Sequence, residues 1–427
     1  MKLLSLNRCS VPANLAEVTS YDPSQEVDPE SVGMTRKQVE RIWRDVEKAY
    51  KTGFSPAITI CLRRHGQIIL NRAIGHARGN GPEDTPDTPK VPATPDTRIC
   101  LFSASKVVTA MLVHLLDERG EIDLLDPISH YIPEYGKNGK QDATIYHLLA
   151  HRGGVPSLPP GTDPEFLFRP KDAADLLFNA KPIAPSGHRA AYHALTGGYI
   201  LGEIIERVTG KSPRQFLQEN VCDPMGMETF NYGLAPEWRD KVALNYSTGI
   251  KPTLAPAWYL KQILGASMEE VEKYTNDDRF MDTICPAGNI YSTAEEAGRF
   301  FQMLLDGGVY QGRQIFDPMT IRRATIEVSR PEIDKMLLLP MRYAMGPMLG
   351  DSPIGLYGLN CKNAFGHLGY ISIFCWADPD RALSASILTS GKSLIGPGMP
   401  AMIKLVAGIS LNCKRLSSSE RHRFVLQ

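Results

Sequence analysis

The sequence predicts an α+β protein in which an antiparallel sheet flanked by helices is built from both ends of the chain. Strand-like apolar runs lie near the two ends, at 57–62, 68–74, 370–377 and 382–388. Residues 126–285 instead alternate helical stretches with long proline-containing loops and show little strand pattern. We therefore expect an α/β sandwich subdomain of residues 34–125 and 286–410, interrupted by a mostly helical subdomain of residues 126–285.

The first predicted helix follows an N-terminal extension of residues 1–33, which contains prolines and is expected to be loose. Thr35 and Gln38 form a capping-box pattern at the start of this helix. Its apolar face consists of Val39, Ile42, Trp43 and Val46. The triplet Lys51-Thr-Gly53 is expected to be the last turn of the helix and its glycine stop.

The next predicted elements lead to a central helix. Residues 63–67 read as the turn of a hairpin, and residues 79–96, rich in proline, glycine, aspartate and threonine, read as a surface loop. From Ser103 to Gly120, apolar residues repeat at helical spacing. The helix is hydrophobic enough to be central, and Ser103 is expected to begin it.

The C-terminal part is predicted to return to the sheet. A helix is expected at 293–305, a strand-like run at 342–348 and a turn at 378–381. A last helix is expected at 401–409, followed by a tail of residues 411–427.

Composition excludes several classes of partner. The chain has 427 residues, of which 43% are hydrophobic, and 47 basic residues balance 47 acidic ones. No net field is therefore available to attract nucleic acid. No apolar run is long enough to span a bilayer, and the apolar N-terminal stretch is too short for a signal peptide, so a cytoplasmic location is expected. The oligomeric state is left open.

Metals and cofactors are also not expected. The eight cysteines lie far apart without a Cys-x-x-Cys, which favours reduced packing residues. His147 and His151 are four residues apart, as metal ligands on one helical face can be, but the segment lacks the Glu of His-Glu-x-x-His. No phosphate loop, dinucleotide fingerprint or Gly-x-Ser-x-Gly elbow is present.

The main candidate for chemistry is Leu101-Phe-Ser-Ala-Ser-Lys106, which contains a Ser-x-x-Lys. Three residues apart on a helix, Ser103 and Lys106 face the same side. The positive end of the helix disfavours the lysine cation and favours a developing alkoxide, so that a neutral amine could take the hydroxyl proton. The alternative is a helix-capping serine beside a solvated lysine.

Two further segments are candidates for the same site. Tyr192 precedes a predicted helix that ends at Gly210, and it could act as a base only if a positive charge such as Lys106 stabilised the phenolate. The alternative is that Tyr192 is an ordinary half-buried aromatic residue with a satisfied hydroxyl and no catalytic role. In Gly366-His-Leu-Gly369, the glycines would allow a close approach to substrate, and the next amide could be an oxyanion donor. The alternative is that this segment is only the beginning of a β-strand and has no role in a site.

These three elements, in this order, resemble the serine β-lactamase and penicillin-binding-protein superfamily. The similarity is closest to its class C branch, with the β-lactamase-related carboxylesterases and transesterases of the family VIII esterase type. Further segments are similar to the linking segments of that family, namely 120–134, 144–154, 198–210, 224–227 and 287–293. The resemblance covers roughly residues 32–409 and implies a class C β-lactamase-like fold.

The resemblance implies a role for each candidate residue. Ser103 is the nucleophile, Lys106 its proton partner and Tyr192 the catalytic tyrosine. His367-Leu-Gly369 stands where β-lactamases carry Lys-Thr-Gly, and the oxyanion hole consists of the backbone N–H groups of Ser103 and Tyr370.

Two departures from the class C pattern restrict the expected substrate. Ala194 stands where class C β-lactamases place an asparagine that holds the β-lactam side chain. His367 replaces a permanently charged lysine, and a histidine of ordinary pKa is mostly neutral at pH 7. Both changes favour uncharged esters over β-lactams.

We therefore expect a cofactor-independent serine carboxylesterase that hydrolyses small to medium acyl esters through an acyl-Ser103 intermediate. A transesterase that transfers the acyl group to an alcohol is an alternative, because only the second nucleophile differs. A β-lactamase or D-amino-acid peptidase, or a non-catalytic binding or sensor protein of the same fold, are further alternatives. Residues 246–274, with Trp258 and Tyr259, either contribute a pocket wall or pack within the helical subdomain.

Overall fold

The computed structural model describes residues 6–251, 254–330, 332–393, 396–417 and 420, and it has the predicted α+β architecture. The strands, in chain order, are β1 (Thr19–Tyr21), β2 (Ala57–Arg64), β3 (Gln67–Arg78), β4 (Val91–Pro92), β5 (Ile99–Cys100), β6 (Asn231–Tyr232), β7 (Tyr246–Ser247), β8 (Ile290–Ser292), β9 (Val309–Tyr310), β10 (Arg313–Gln314), β11 (Met348–Leu349), β12 (Ile354–Gly355), β13 (Gly358–Leu359), β14 (Phe365–Gly369), β15 (Ile373–Asp378), β16 (Leu383–Thr389) and β17 (Gly391–Lys392). The α-helices are α1 (Arg36–Lys51), α2 (Ser105–Glu118), α3 (Ile128–Tyr131), α4 (Ile145–Leu149), α5 (Pro170–Asn179), α6 (Thr196–Thr209), α7 (Pro213–Leu217), α8 (Asp223–Met225), α9 (Leu254–Leu264), α10 (Met268–Thr275), α11 (Asp278–Asp282), α12 (Ala294–Leu305), α13 (Pro318–Thr325) and α14 (Gly398–Asn412).

The main sheet joins the two ends of the chain. Its strands lie in the order β1-β3-β2-β16-β15-β14-β11, all neighbours are antiparallel, and β4 pairs with β3. The junction is between β2 and β16, where Leu62 is opposite Ala385. The strands predicted from the two ends therefore form one sheet.

Helices cover both faces of this sheet. Ile58, Ile60 and Leu62 of β2 join the core cluster of α1 and α14, whereas Cys61 belongs to the cluster that contains α2 and α12. This alternation follows from the period of two in a strand, which sends successive side chains to opposite faces. The cluster that contains α2 and α12 also includes residues of the helical segments between 128 and 282.

The first helix forms as predicted. In α1, the Gln38 backbone N–H donates to Thr35 Oγ1 (3.3 Å) and the Thr35 N–H donates to Gln38 Oε1 (2.8 Å), which completes the capping box. The predicted apolar face is buried. The helix ends at Lys51, and Gly53 has φ +74°, so Lys51-Thr-Gly53 is the end of a helix.

The hairpin turn is shorter than predicted. Strands β2 and β3 extend to Arg64 and from Gln67, which leaves only His65 and Gly66 between them. Both turn residues have positive φ, 49° and 77°, a geometry that suits a two-residue hairpin.

The prediction of a loose N-terminal extension is wrong for residues 6–33, and residues 1–5 lie outside the described residues. Strand β1 pairs with β3, and the Val27 N–H donates to the Ile68 carbonyl (2.9 Å). Glu26 forms an ion pair with Arg72 at 2.8 Å. These partners lie more than forty residues away along the chain, so the local composition gave no sign of them.

The segment between the two parts of the sheet is mostly helical, as predicted. It contains α3 to α11, and the strands β6 and β7 have only two residues each. Helix α6 ends at Gly210, which has φ +68° as a helix-stopping glycine should. The subdomain boundaries at residues 125/126 and 285/286 stay a prediction.

Three predictions near the C-terminus need correction. The run 342–348 is not a strand apart from Met348 in β11, because its backbone bonds instead to a loop, where the Val328 N–H donates to the Tyr343 carbonyl (2.9 Å). The strand predicted from Tyr370 begins at Ile373, because positive φ angles of 34° at Tyr370 and 76° at Ile371 turn the chain first. The last helix is longer, Gly398–Asn412. The tail beyond Ser417 lies outside the described residues except for Glu420.

The eight cysteines are buried and form no disulfide, in agreement with their predicted packing role. The prediction that His147 and His151 share one helical face is wrong. Helix α4 ends at Leu149, and His151 follows with φ +56°. In the part of the chain that the structure describes, no helix combines the length and apolar character needed to cross a membrane.

Candidate active site

Ser103 and Lys106 meet at the start of the central helix. Ser103 lies in a 3₁₀ turn, Phe102–Ala104, that leads directly into α2. Lys106 Nζ is 2.8 Å from Ser103 Oγ. The predicted same-side arrangement is therefore present, and the solvated-lysine alternative is wrong because Lys106 is only 7% exposed.

The environment of Lys106 favours its neutral form. Its Nζ also donates to the Ala287 carbonyl oxygen at 2.9 Å, and the described residues supply no carboxylate ion pair to it. Burial lowers the pKa of Lys106 to about 7, and only the nearby Cys285 acts in the opposite direction. An amine with this pKa can accept a proton near neutral pH.

Tyr192 reaches the same point from the segment that precedes α6. Its ring centroid lies 5.2 Å from Lys106 Nζ. Burial raises the pKa of Tyr192 above its usual value, and a hydrogen bond with Ser103 offsets only part of this effect. A resident tyrosine base would need a lasting positive charge beside it, and at a pKa of about 7 Lys106 is not a permanent cation.

The Tyr192 segment is fixed by contacts with two distant parts of the chain. The Ala191 N–H donates to the His151 carbonyl (3.0 Å), and the His151 ring packs 4.9 Å from the Tyr192 ring. The Tyr192 N–H donates to Asp334 Oδ1 (3.1 Å). His151 and Asp334 therefore position Tyr192.

Asp334 is a buried acceptor that sequence reasoning missed. It is 1% exposed and also accepts hydrogen bonds from the Met336 N–H (2.8 Å), the Leu337 N–H (2.9 Å) and the Tyr343 hydroxyl (2.9 Å). These bonds tie the loop of residues 332–343 to the Tyr192 segment. No local motif surrounds Asp334, so the sequence offered no signal for it.

Strand β14 brings Gly369 and Tyr370 beside the turn that carries Ser103. A Cβ atom added to Gly369 would lie 2.1 Å from the Leu101 carbonyl oxygen, so only glycine allows this approach. The rings of Phe102 and Tyr370 pack at 5.2 Å. The backbone amides of Ser103 and Tyr370 thus belong to neighbouring segments.

The first glycine of Gly366-His-Leu-Gly369 serves the sheet. A Cβ atom at Gly366 would lie 2.6 Å from the Cβ of Trp376 on β15, so this glycine permits close strand packing. The close approaches that both glycines allow are therefore to the protein's own chain.

His367 is a neutral, buried member of the site. It is 0% exposed, and its ring centroid lies 6.0 Å from that of Tyr192. Its Nδ1–H donates to the Leu368 carbonyl (2.5 Å). Burial, helped by Lys106, lowers the pKa of His367 to about 3, so this histidine carries no charge near neutral pH.

Apolar side chains surround Tyr192. Tyr192 and Ala194 belong to a buried cluster with Met341, Tyr343 and Met348. Partly buried apolar residues pack against this cluster, namely Ile263, Met336, Leu337, Leu356 and Leu368. Helix α9 thus reaches the site through Ile263, and the Tyr259 hydroxyl donates to the Met336 carbonyl, whereas Trp258 is 65% exposed.

Comparison with known proteins places the chain in a family. Residues 43–401 match the family model described as Beta-lactamase. Among curated proteins, the chain is 26% identical over 327 residues to "Esterase/beta-lactamase LipL" of Mycobacterium tuberculosis, covering 72% of this chain and 74% of that protein.

Two solved structures have a similar fold. A penicillin-binding protein homologue from Caulobacter crescentus has a TM-score of 0.74 and 26% identity, covering 88% of this chain and 97% of that one. A family VIII carboxylesterase has a TM-score of 0.73 and 23% identity, with 86% and 96% covered. The chain belongs to the β-lactamase family and is a serine hydrolase.

Proposed function

We propose that the protein is a carboxylesterase that hydrolyses small to medium acyl esters through an acyl intermediate on Ser103. The observation that carries this proposal is the 2.8 Å contact between Lys106 Nζ and Ser103 Oγ. Burial lowers the pKa of that amine to about 7. A base whose pKa lies near the operating pH is unprotonated often enough to act and still accepts a proton readily.

In the acylation step, neutral Lys106 removes the Ser103 hydroxyl proton while Oγ attacks the ester carbonyl carbon. The backbone N–H groups of Ser103 and Tyr370 stabilise the negative charge on the former carbonyl oxygen. The C–O bond to the alcohol then breaks, and the neutral Tyr192 hydroxyl donates its proton to the leaving alkoxide. Lys106 returns its proton to Tyr192, which leaves the acyl-Ser103 ester and a free alcohol.

Deacylation repeats these transfers with water as the nucleophile. Water gives its proton to the Lys106–Tyr192 pair and attacks the acyl carbon, and Ser103 recovers a proton as its ester bond breaks. The raised pKa of Tyr192 supports this assignment, because a tyrosine that stays protonated is a proton donor and not a resident base.

The walls of the site support uncharged, apolar substrates. Burial lowers the pKa of His367 to about 3, so His367 offers no positive charge to the carboxylate of a β-lactam or peptide. Partly buried apolar side chains, including Ile263 and Leu337, pack around Tyr192 and Ala194. An acyl or alcohol group without charge suits these surroundings.

β-Lactam hydrolysis is the second candidate, and similarity to a relative named "Esterase/beta-lactamase LipL" favours it. The neutral His367 and the absence of an amide side chain at Ala194 oppose it. Turnover of a chromogenic cephalosporin at a rate comparable to ester turnover would favour this candidate over the esterase.

The proposal is tested with p-nitrophenyl butyrate and the Ser103→Ala variant. We expect wild-type protein to release nitrophenol and Ser103→Ala to show no turnover above background. Ser186→Ala is the matched control, because Ser186 is a part-buried serine whose hydroxyl bonds only to the Gly153 carbonyl (3.3 Å) among the described residues. Undiminished turnover in Ser103→Ala would refute the proposed mechanism.

A further inference from the structure

A small cavity adjoins Lys106. It has a volume of about 20 Å³, and its lining includes Lys106, Leu148, His151, His193 and Gly197. All of its lining residues are buried. This volume is large enough to hold one water molecule. A buried water also needs two to four polar groups to which it can hydrogen-bond.

Two histidines that line this cavity carry unpaired ring nitrogens of opposite character. His193 Nδ1 lies 2.7 Å from the Ala191 carbonyl, which can only accept, so the proton is on Nδ1 and Nε2 is an acceptor. His151 Nδ1 accepts from the His193 backbone N–H (3.2 Å), so His151 carries its proton on Nε2. Neither buried Nε2 atom has a hydrogen-bond partner among the described residues.

Lys106 is the third polar group on the cavity. Its Nζ uses two hydrogen-bonding positions, one with Ser103 Oγ and one with the Ala287 carbonyl. An ammonium group has three donors. One donor of protonated Lys106 therefore needs a further acceptor.

We propose that the cavity binds one water molecule that connects Lys106 to the two histidines. The water accepts hydrogen bonds from Lys106 Nζ–H and from His151 Nε2–H, and it donates one to His193 Nε2. These three bonds pair all three groups and use both acceptor positions and one of the two donor positions of the water molecule. His151 and His193 are then positioning residues, because they act on Lys106 through the water.

The water stabilises the proton on Lys106 after it leaves Ser103. The titratable groups that face Lys106 are Tyr192, His151, His193, His367 and Cys285. Burial lowers the pKa of the three histidines and raises those of Tyr192 and Cys285, so all five are neutral near pH 7. Asp334 acts electrostatically on Tyr192 and His193, whereas Cys285 is the neighbour that acts on Lys106 itself. The dipole of the water is therefore the stabiliser that contacts the transient ammonium ion.

Gly197→Ala tests this water without removing a polar group. The added methyl group would lie 3.3 Å from His193 Cβ and 3.6 Å from Leu148 Cδ1, so it occupies cavity space with a small shift of its neighbours. Gly298→Ala is the matched control. Gly298 is also a helical glycine, and its added methyl group would lie 3.5 Å from Ser386 Oγ, away from Ser103.

The direct readout is electron density in crystals that diffract to atomic resolution. We expect a water within hydrogen-bonding distance of Lys106 Nζ and both Nε2 atoms in wild type and in Gly298→Ala, and no such water in Gly197→Ala. This readout requires no catalysis, so it separates failure of the water site from failure of the proposed esterase function, which Ser103→Ala tests.

The kinetic readout is the pH profile of kcat/KM. Without the water, the Lys106 ammonium loses an acceptor, so kcat/KM falls about 10- to 100-fold and the acid limb shifts to lower pH. His193→Asn should behave in the same way, because an asparagine amide can still donate to the Ala191 carbonyl but does not reach the Nε2 position. A purely structural role would lower the melting temperature and leave the acid limb in place.

Two results would overturn the proposal. One is a cavity without water density in wild-type crystals. The other is a folded Gly197→Ala variant that lacks the water but keeps the wild-type acid limb and kcat/KM.

Discussion

The two halves of the active site are held in different ways. Ser103 and Lys106 are three residues apart at one helix start, and their 2.8 Å contact follows from helix geometry. Tyr192 instead lies in a segment without regular structure and is positioned by His151 and Asp334, about 40 and 140 residues away in the chain. Local structure thus places Lys106, the proposed base, whereas tertiary contacts place Tyr192, the proposed proton donor.

This difference indicates which substitutions affect chemistry alone. Lys106 is one residue into a helix, and its replacement removes one tertiary hydrogen bond, that of its amine to the Ala287 carbonyl. The change should therefore act more on proton transfer than on stability. Substitutions around Tyr192 should affect both activity and stability, because the same hydrogen bonds position the tyrosine and close the loop of residues 332–343.

The largest effect is expected for Lys106→Met, which keeps an unbranched side chain one atom shorter than lysine and removes the proposed base. We expect kcat/KM for an ester to fall about 10³- to 10⁴-fold. Lys140→Met is the control, because Lys140 is also buried, burial lowers its pKa, and its Nζ bonds only to the backbone carbonyls of Phe178 (3.1 Å) and Ala180 (2.5 Å) among the described residues. A Lys106→Met variant within tenfold of the wild-type rate would show that another group is the base.

The next effect is expected for Tyr192→Phe. Loss of the hydroxyl should lower kcat/KM about 10²- to 10³-fold, because the leaving alkoxide loses its proton donor. The fold should persist, since the Tyr192 N–H bond to Asp334 and the ring contact with His151 remain. Tyr357→Phe, which removes a buried hydroxyl bound to the Met348 carbonyl (3.1 Å), should leave kcat/KM near the wild-type value.

Substitution of Asp334 should reduce the rate less than substitution of Lys106 or Tyr192, but it should reduce stability more. Asp334→Ala leaves the Tyr192, Met336 and Leu337 N–H groups and the Tyr343 hydroxyl without this acceptor. We expect a loss of about 3 kcal/mol in the free energy of unfolding and about a tenfold fall in kcat/KM. Asp334→Asn keeps an acceptor oxygen for the backbone groups and should lose less of both.

Urea unfolding and steady-state kinetics on the two Asp334 variants check this expectation. Equal losses in the alanine and asparagine variants would indicate that the charge of Asp334, and not its acceptor geometry, matters. Unchanged kcat/KM in Asp334→Ala would show that Tyr192 does not depend on this residue.

The smallest expected effect is the pH dependence of the wild-type enzyme. The base form of Lys106 is the neutral amine, whose conjugate acid has a pKa of about 7. As the pH falls through this value, Lys106 becomes protonated and kcat/KM should decrease, approaching a tenfold loss for each pH unit. An acid limb whose midpoint lies near an ordinary carboxylate pKa would assign the base to another residue.

Features that depend on local contacts could be predicted from the sequence, whereas features that depend on distant contacts could not. The capping box of α1, the α2 periodicity and the Ser-x-x-Lys spacing depend on neighbours within four residues, so the sequence predicts them. The pairing of β1 with β3, the irregular run 342–348 and the acceptor role of Asp334 depend on partners far along the chain. The start of strand β15 after Tyr370 and the bounds of helix α14 were missed because backbone angles and packing, not composition, determine them.

The central claim is that Ser103 carries the acyl group, and trapping that intermediate tests it most directly. Wild-type protein is mixed briefly with p-nitrophenyl butyrate, quenched in acid and analysed by intact mass and peptide mapping. We predict one butyryl group on the peptide that contains Ser103, and no adduct in Ser103→Ala. Ester turnover accompanied by an acyl group on a different residue would contradict the account.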